Sequence, residues 1–72
     1  MNFVLIVKDE CKVCEDTIKL FKRDNLNFEV INFNNLKDDS QAYYTREFEE
    51  IGVFELPFIL QDEEPISLHD II

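Results

Sequence analysis

Seventy-two residues, 46% of them hydrophobic, suffice for one small domain with one compact core, which we place at residues 1–72. Sixteen acidic residues against seven basic ones give a net charge of −9, which argues against nucleic acid and anionic membranes as partners. The longest apolar run, residues 3–7, falls far short of the ~20 residues of a membrane span, and the N-terminus lacks the basic segment of a secretory signal. We therefore expect a cytoplasmic protein.

The first half of the chain predicts a strand, a helix and a second strand. The apolar stretch from Asn2 to Val7 is typical of a strand that is covered on both faces. From about Cys11 to Asp24 apolar residues recur with helical spacing, and Asp9 or Glu10 is the expected helix cap. Residues 28–31 predict the second strand, which a crossover of this kind places parallel to the first.

The second half predicts a helix and two short strands. A polar loop ends at Ser40, the expected cap of a helix that Gly52 terminates. The third strand is expected at residues 56–60, interrupted by Pro57, and the fourth at residues 65–67. Pro65 implies a sheet edge, because proline cannot donate to a strand ladder. Residues 68–72 have room for one more helical turn, and the whole is an α/β fold with its central strand first.

The chemistry concentrates in Cys11-Lys12-Val13-Cys14, at the junction of the first strand and first helix. A thiolate on Cys11 is stabilised by the helix N-terminus, and Cys14 can attack a mixed disulfide formed there. Three alternatives remain. The motif could belong to a zinc site within the chain, although only His69 offers another strong ligand; it could hold a metal or cluster between two chains; or it could be two unreactive thiols. Metal content under reducing conditions separates the metal-binding alternatives from catalysis.

Charges around this motif bear on its redox character. Within residues 8–16, Lys8 and Lys12 face four acidic residues. This excess of negative charge is expected to restrict the stabilisation of the Cys11 thiolate, which makes the dithiol a better reductant. The sequence therefore predicts an electron donor rather than a strong oxidant.

The dipeptide Leu56-Pro57 is the second notable feature. Proline inside an apolar strand is consistent with an edge or a bulge, or with a cis peptide bond. We predict the cis form, which would present the Leu56 backbone to a bound substrate chain. The phenylalanines are expected in the core, Tyr43 and Tyr44 are expected to pack, and His69 is expected at the surface.

Together these features resemble the glutaredoxin family and the related redoxins that reduce ribonucleotide reductase. The likeness spans nearly the whole chain, and three segments carry it: residues 8–14, which hold the Lys and the CxxC motif, the Gly-x4-Pro of residues 52–57, and Asp70. It implies a minimal thioredoxin-like (glutaredoxin) fold, β-α-β-α-β-β, with the C-terminal helix truncated. It also implies Cys11 as nucleophile and Cys14 as resolving thiol. The residues expected to bind substrate are Lys8, Lys12, Val13, Leu56, Pro57 and Asp70.

The resemblance implies reduction of a disulfide-bearing protein, with ribonucleotide reductase as one candidate, and no resident cofactor or metal. Glutathione or an enzyme like thioredoxin reductase would recharge the dithiol. Ser67-Leu68 stands where glutaredoxins have Gly-Gly, which argues against tight glutathione binding. The truncated helix is expected to expose Ile66, Leu68, Ile71 and Ile72, so a monomer or a weak homodimer is expected. A non-catalytic module that binds a metal or iron–sulfur cluster between chains, or docks a partner, is the alternative.

Overall fold

The computed structural model describes residues 2–67, which form a four-stranded sheet between two α-helices. The strands pair in the order β2-β1-β3-β4, with β1 parallel to β2 and antiparallel to β3, and with β4 antiparallel to β3. This confirms the predicted order of elements and the predicted fold class. The bounds are β1 Phe3–Val7, α1 Lys12–Arg23, β2 Phe28–Asn32, α2 Asp38–Glu50, β3 Phe58–Gln61 and β4 Glu64–Ile66, with a 3₁₀ turn at Phe33–Asn35 that was not predicted.

The central position of β1 follows from its unbroken apolar sequence. Successive side chains of a strand point to opposite faces of the sheet, so a strand covered on both faces needs apolar residues throughout. Leu5 packs in a core with Phe21 of α1, and Ile6 packs in a second core with Phe48 of α2. One helix therefore covers each face, and Phe21 and Phe48 are fully buried at the centres of the two cores.

The ends of the helices correct two predictions. Neither Asp9 nor Glu10 caps α1: the cap is Cys11, and Glu10 has a φ of 54°, which turns the chain between β1 and the helix. Helix α2 begins at Asp38 rather than after Ser40, and its cap, Lys37, makes no side-chain capping bond. The prediction for the other end of α2 is confirmed, because Gly52 lies just beyond the helix with a φ of 81°.

The last two strands also differ in their bounds from the sequence prediction. Strand β3 begins at Phe58, so Pro57 precedes it rather than interrupting it, and β4 ends at Ile66. A two-residue turn with positive φ at both Asp62 and Glu63 joins them, as a tight hairpin requires. Pro65 does lie on the edge strand of the described sheet. The predicted helical turn at residues 68–72 lies outside the described residues.

One aromatic residue contradicts the expectation that the phenylalanines lie in the core: the side chain of Phe54 is 74% exposed. Both tyrosines pack as expected, because Tyr44 contacts the core that contains Phe48 and the ring of Tyr43 meets the ring of Tyr44 edge-on, although Tyr43 itself is 57% exposed. Phe54 lies in the segment between α2 and β3, outside the strands and helices of residues 2–67. Ile66, expected to be exposed, is half-buried against the Phe21 core.

Candidate redox site

Cys11 and Cys14 form a disulfide at the start of α1, with their Cα atoms 5.2 Å apart. Cys11 is the last residue before the helix and Cys14 lies one turn further along. Cys14 is 2% exposed and Cys11 is 9% exposed, and both side chains belong to the core that contains Phe21. Cys11 is therefore the more exposed of the two residues.

The local backbone provides a stabilising contact for charge on Cys11. The N–H of Cys14 donates a hydrogen bond to the Sγ of Cys11 over 3.2 Å, so the sulfur itself serves as the helix cap. The unpaired N–H groups of a first helical turn carry partial positive charge. After reduction of the disulfide, this donor is in place to stabilise a thiolate on Cys11.

Cys11 opens onto a surface hollow of about 490 Å³, here named the Cys11 hollow. Its lining includes two bases, Lys8 and Lys12, and two acids, Glu10 and Glu55. None of the four forms an ion pair or a hydrogen bond through its side chain with any of residues 2–67. The negative excess counted along residues 8–16 is therefore not reproduced in the lining of the hollow, where the opposite charges are equal in number.

The absence of that excess has a simple geometric origin. Of the four acids among residues 8–16, Glu10 alone lines the Cys11 hollow. Asp9 accepts a hydrogen bond from the Asn32 side chain over 3.2 Å. Glu15 and Asp16 lie on the exposed side of α1, and Glu55 reaches the hollow from a distant part of the sequence.

The segment between α2 and β3 forms the opposite wall. The Leu56–Pro57 peptide bond is cis, as predicted from the sequence. A second hollow, of about 550 Å³ and here named the Pro57 hollow, lies beside the first, and Pro57 and Ile66 contribute to its lining. The two hollows share four lining residues: Val13, Phe54, Glu55 and Leu56.

The structure brings most of the expected site residues together. Lys8, Lys12, Val13 and Leu56 line the Cys11 hollow with Cys11 itself. Pro57 lines the neighbouring hollow, and Cys14 is buried behind Cys11. Asp70 lies outside the described residues.

Sequence reasoning missed Phe54 and Glu55 as candidate contacts. Both side chains are exposed and line both hollows. A signal was present: Phe54 falls between a helix-terminating Gly52 and Pro57, where neither a helical nor a strand pattern accounts for a large apolar residue. The general expectation that phenylalanines lie in the core led the sequence analysis to overlook it.

Two further features of residues 2–67 bear on the kind of site. Their side chains include no group of three or more His, Cys, Asp or Glu residues placed to hold a metal ion. In the same part of the chain, neither helix has the length and apolar character needed to cross a membrane. His69, the other zinc ligand considered, lies outside the described residues.

Comparison with known structures places this architecture among the glutaredoxins. A crystal structure of wheat glutaredoxin is similar with a TM-score of 0.70 at 22% identity, covering 94% of this chain and 63% of that one. A buckwheat glutaredoxin–glutathione complex gives 0.69 at 20%, covering 90% and 58%. The glutaredoxin of Archaeoglobus fulgidus gives 0.64 at 16%, covering 96% and 79%. The fold is the glutaredoxin fold.

This chain spans about three-fifths of the length of the two plant proteins. No protein-family model and no curated protein matches it in sequence. The glutaredoxin fold, together with a cysteine pair at disulfide distance, supports a redox role for the chain.

Proposed function

We propose that this chain is a thiol–disulfide oxidoreductase that reduces protein disulfides as a glutaredoxin-like electron donor. The observation that carries the proposal is the Cys11–Cys14 disulfide at the N-terminus of α1, with Cys11 opening onto a hollow. A cysteine that lines a surface hollow, lies at a helix N-terminus and is one turn from a second cysteine has the features of a dithiol nucleophile.

In the proposed reaction, the Cys11 thiolate attacks one sulfur of the substrate disulfide. The substrate S–S bond breaks, the other substrate sulfur leaves as a thiolate that takes up a proton, and a mixed disulfide joins Cys11 to the substrate. The Cys14 thiol then loses its proton and attacks the Cys11 sulfur. The second substrate thiolate leaves, the Cys11–Cys14 disulfide forms, and two electrons have passed to the substrate.

The buried position of Cys14 suits this order of events. At 2% exposure, Cys14 is poorly accessible to an external disulfide. Its sulfur nevertheless reaches Cys11, since the two residues form a disulfide in this structure. The proposal therefore assigns the attack on substrate to Cys11 and the release of substrate to Cys14.

The residues around Cys11 are assigned to substrate contact. Lys8 and Lys12 contribute positive charge to the Cys11 hollow, and Val13 and Leu56 contribute apolar surface. Pro57 extends that surface into the second hollow. Asp70 is retained as a proposed contact on the resemblance alone.

A two-electron donor must be recharged. An enzyme like thioredoxin reductase can return two electrons to the disulfide, and two molecules of glutathione can do the same by forming glutathione disulfide. The buckwheat neighbour, described as a glutaredoxin–glutathione complex, supports glutathione as a candidate. We further propose a protein substrate of the ribonucleotide reductase kind, a cytoplasmic location, and a monomer or weak homodimer.

The test is reduction of insulin disulfides by the purified protein with dithiothreitol as electron source. Wild type, Cys11→Ser and Cys14→Ser are compared at equal concentration. We expect activity in the wild type and none in Cys11→Ser. Cys14→Ser should accumulate a mixed disulfide, detectable as a mass increase that a reductant removes.

A control substitution guards against a general effect of altering the helix. Thr17→Ser changes a buried side chain of α1 one turn beyond Cys14, without removing a thiol. It should retain insulin reduction at temperatures where it is folded. Equal rates in wild type and Cys11→Ser would contradict the oxidoreductase proposal.

A further inference from the structure

The four residues shared by the two hollows form a ridge next to Cys11, here named the Phe54 ridge. Its members are Val13, Phe54, Glu55 and Leu56. Phe54 is 74% exposed, the largest value among the exposed large apolar side chains of the described residues, and Val13 is 53% exposed. An exposed phenyl ring beside an exposed valine and a reactive sulfur gives a polypeptide an apolar surface to cover.

Charge differs between the two sides of the ridge. Among residues 2–67, two bases and two acids line the Cys11 hollow, whereas Glu55 is the only charged residue that lines the Pro57 hollow. No hydrogen bond or ion pair with residues 2–67 engages the Glu55 carboxylate. It is therefore free to pair with a cation that enters from the substrate.

We infer, on the basis of the proposed function, that the substrate is a disulfide-bonded polypeptide segment with a basic residue close to its reacting cysteine. Glu55 contacts that basic side chain, and an apolar neighbour of the cysteine packs on Val13 and Phe54. The net charge of −9 acts in the same direction, because it attracts a cationic segment and repels an anionic one.

Chain dimensions define where the basic residue lies. An extended polypeptide advances about 3.3 Å per residue, and Glu55 lines the same hollow as Cys11, so the residues next to the reacting cysteine are the ones that reach it. The basic residue is therefore placed within about two positions of the reacting cysteine. Glutathione, which carries carboxylates and no basic side chain beyond its own amine, lacks this feature, so Glu55 selects against it in favour of a basic polypeptide.

The test uses a set of disulfide-bonded peptides that are identical except at one position, two residues from the cysteine, which holds Lys, Gln or Glu. The rate constant for their reduction by the reduced protein is measured by stopped flow at low ionic strength. The variants are Glu55→Gln and Glu63→Gln. Glu63 is an exposed acid in the β3–β4 turn and lines neither hollow, so it controls for net charge.

For wild type we expect the Lys peptide to react about tenfold faster than the Glu peptide, the size of effect that a pair of partly exposed charges produces when attraction is replaced by repulsion. The ratio should fall to about twofold in Glu55→Gln and should stay at the wild-type value in Glu63→Gln. It should also shrink in about 0.5 M salt, which screens exposed charges.

The apolar part of the ridge has its own pair of variants. Phe54→Ala should slow the reduction of all three peptides by about fivefold, because it removes exposed surface that only the substrate covers. Val30→Ala removes a 47% exposed side chain from β2, outside both hollows, and should leave all three rates unchanged. Because both side chains are exposed, both variants should fold.

The outcomes separate this inference from the proposed function. Turnover that requires Cys11 but shows equal rates for the Lys and Glu peptides overturns the inference and leaves the oxidoreductase proposal standing. A preference for Lys that persists in Glu55→Gln also overturns it, because the selectivity then arises elsewhere. Absence of turnover for every peptide overturns the proposed function and this inference together.

Discussion

Replacing Lys12 by proline should stabilise the disulfide form of the protein. Lys12 is the first residue of α1, where the backbone φ is close to the value that a proline ring imposes. Its N–H donates no hydrogen bond to residues 2–67, so proline removes none. Cys11, the preceding residue, has φ −115° and ψ 105°, in the extended region that a residue before proline prefers.

The expected gain is about 0.4–1 kcal/mol, because the ring reduces the conformational entropy of the unfolded chain at a position that the native state already satisfies. For a chain of 72 residues this corresponds to a rise of about 3–7 °C in Tm. Lys12→Ala is the matched control, since it removes the same charge without the ring. The comparison is made on oxidised proteins by thermal unfolding, followed by circular dichroism.

If Lys12→Pro unfolds at or below the Tm of Lys12→Ala, the backbone at the start of α1 does not suit proline, or its N–H has a bond that the ring breaks. Either case would change the description of the Cys11 cap. A lower Tm than wild type in both variants, with Lys12→Pro still above Lys12→Ala, would instead be an effect of the lost charge.

Three further predictions concern positions away from the cap. Thr17→Val should change the free energy of unfolding by no more than about 0.5 kcal/mol, because the buried hydroxyl donates its hydrogen bond only to a carbonyl of the same helix. Thr17→Ser should lower the free energy of unfolding by about 1 kcal/mol, because it removes a buried methyl group. Phe48→Leu should lower the free energy of unfolding by about 1–3 kcal/mol, because the buried Phe48 ring stacks on a phenylalanine of β3 with the ring centroids 4.3 Å apart. Phe54→Leu should lower it by less than about 0.5 kcal/mol, because the Phe54 side chain is exposed. Unfolding by denaturant measures all four variants. The hydrogen bond to Glu47 and its charge raise the pKa of Tyr43 above 10.0, so stability should fall as pH rises above that value; Glu47→Gln should lower the pKa in a spectrophotometric titration.

Periodicity and motif spacing sufficed to predict the order of the elements and the cysteine pair at the start of α1. These features depend on local chemistry: an unbroken apolar run, a helical repeat, and a glycine where the backbone needs positive φ. The cis bond at Leu56–Pro57 was also predicted, through its association with the CxxC motif. Short-range patterns therefore specify the order of the elements, whereas the cis bond was predicted from a motif in a distant part of the chain.

Helix caps were predicted less well, because more than one neighbouring residue can take the role. Asp9 is a good capping residue by type, yet the chain turns through a positive φ at Glu10 and places the Cys11 sulfur at the cap position. Ser40 is likewise a good cap by type, but α2 starts at Asp38. Residue type shows which residues can cap a helix, but the backbone conformation before the helix determines which of them occupies the cap position.

The lining of the site was decided by tertiary structure alone. The sequence places Cys11 on the first helix, and Phe54 and Glu55 more than forty residues later, so no local pattern shows that they share a hollow. Pairing of β1 with β3 brings the segment before β3 beside the segment after β1. Because of this pairing, Glu55 lines the Cys11 hollow, whereas Asp9, Glu15 and Asp16 do not. The lining therefore has two bases and two acids, although acids are in excess along residues 8–16. Sequence therefore determined which residues are candidates for redox chemistry, and the fold determined what surrounds them, because electrostatics and contact depend on distance in space rather than along the chain.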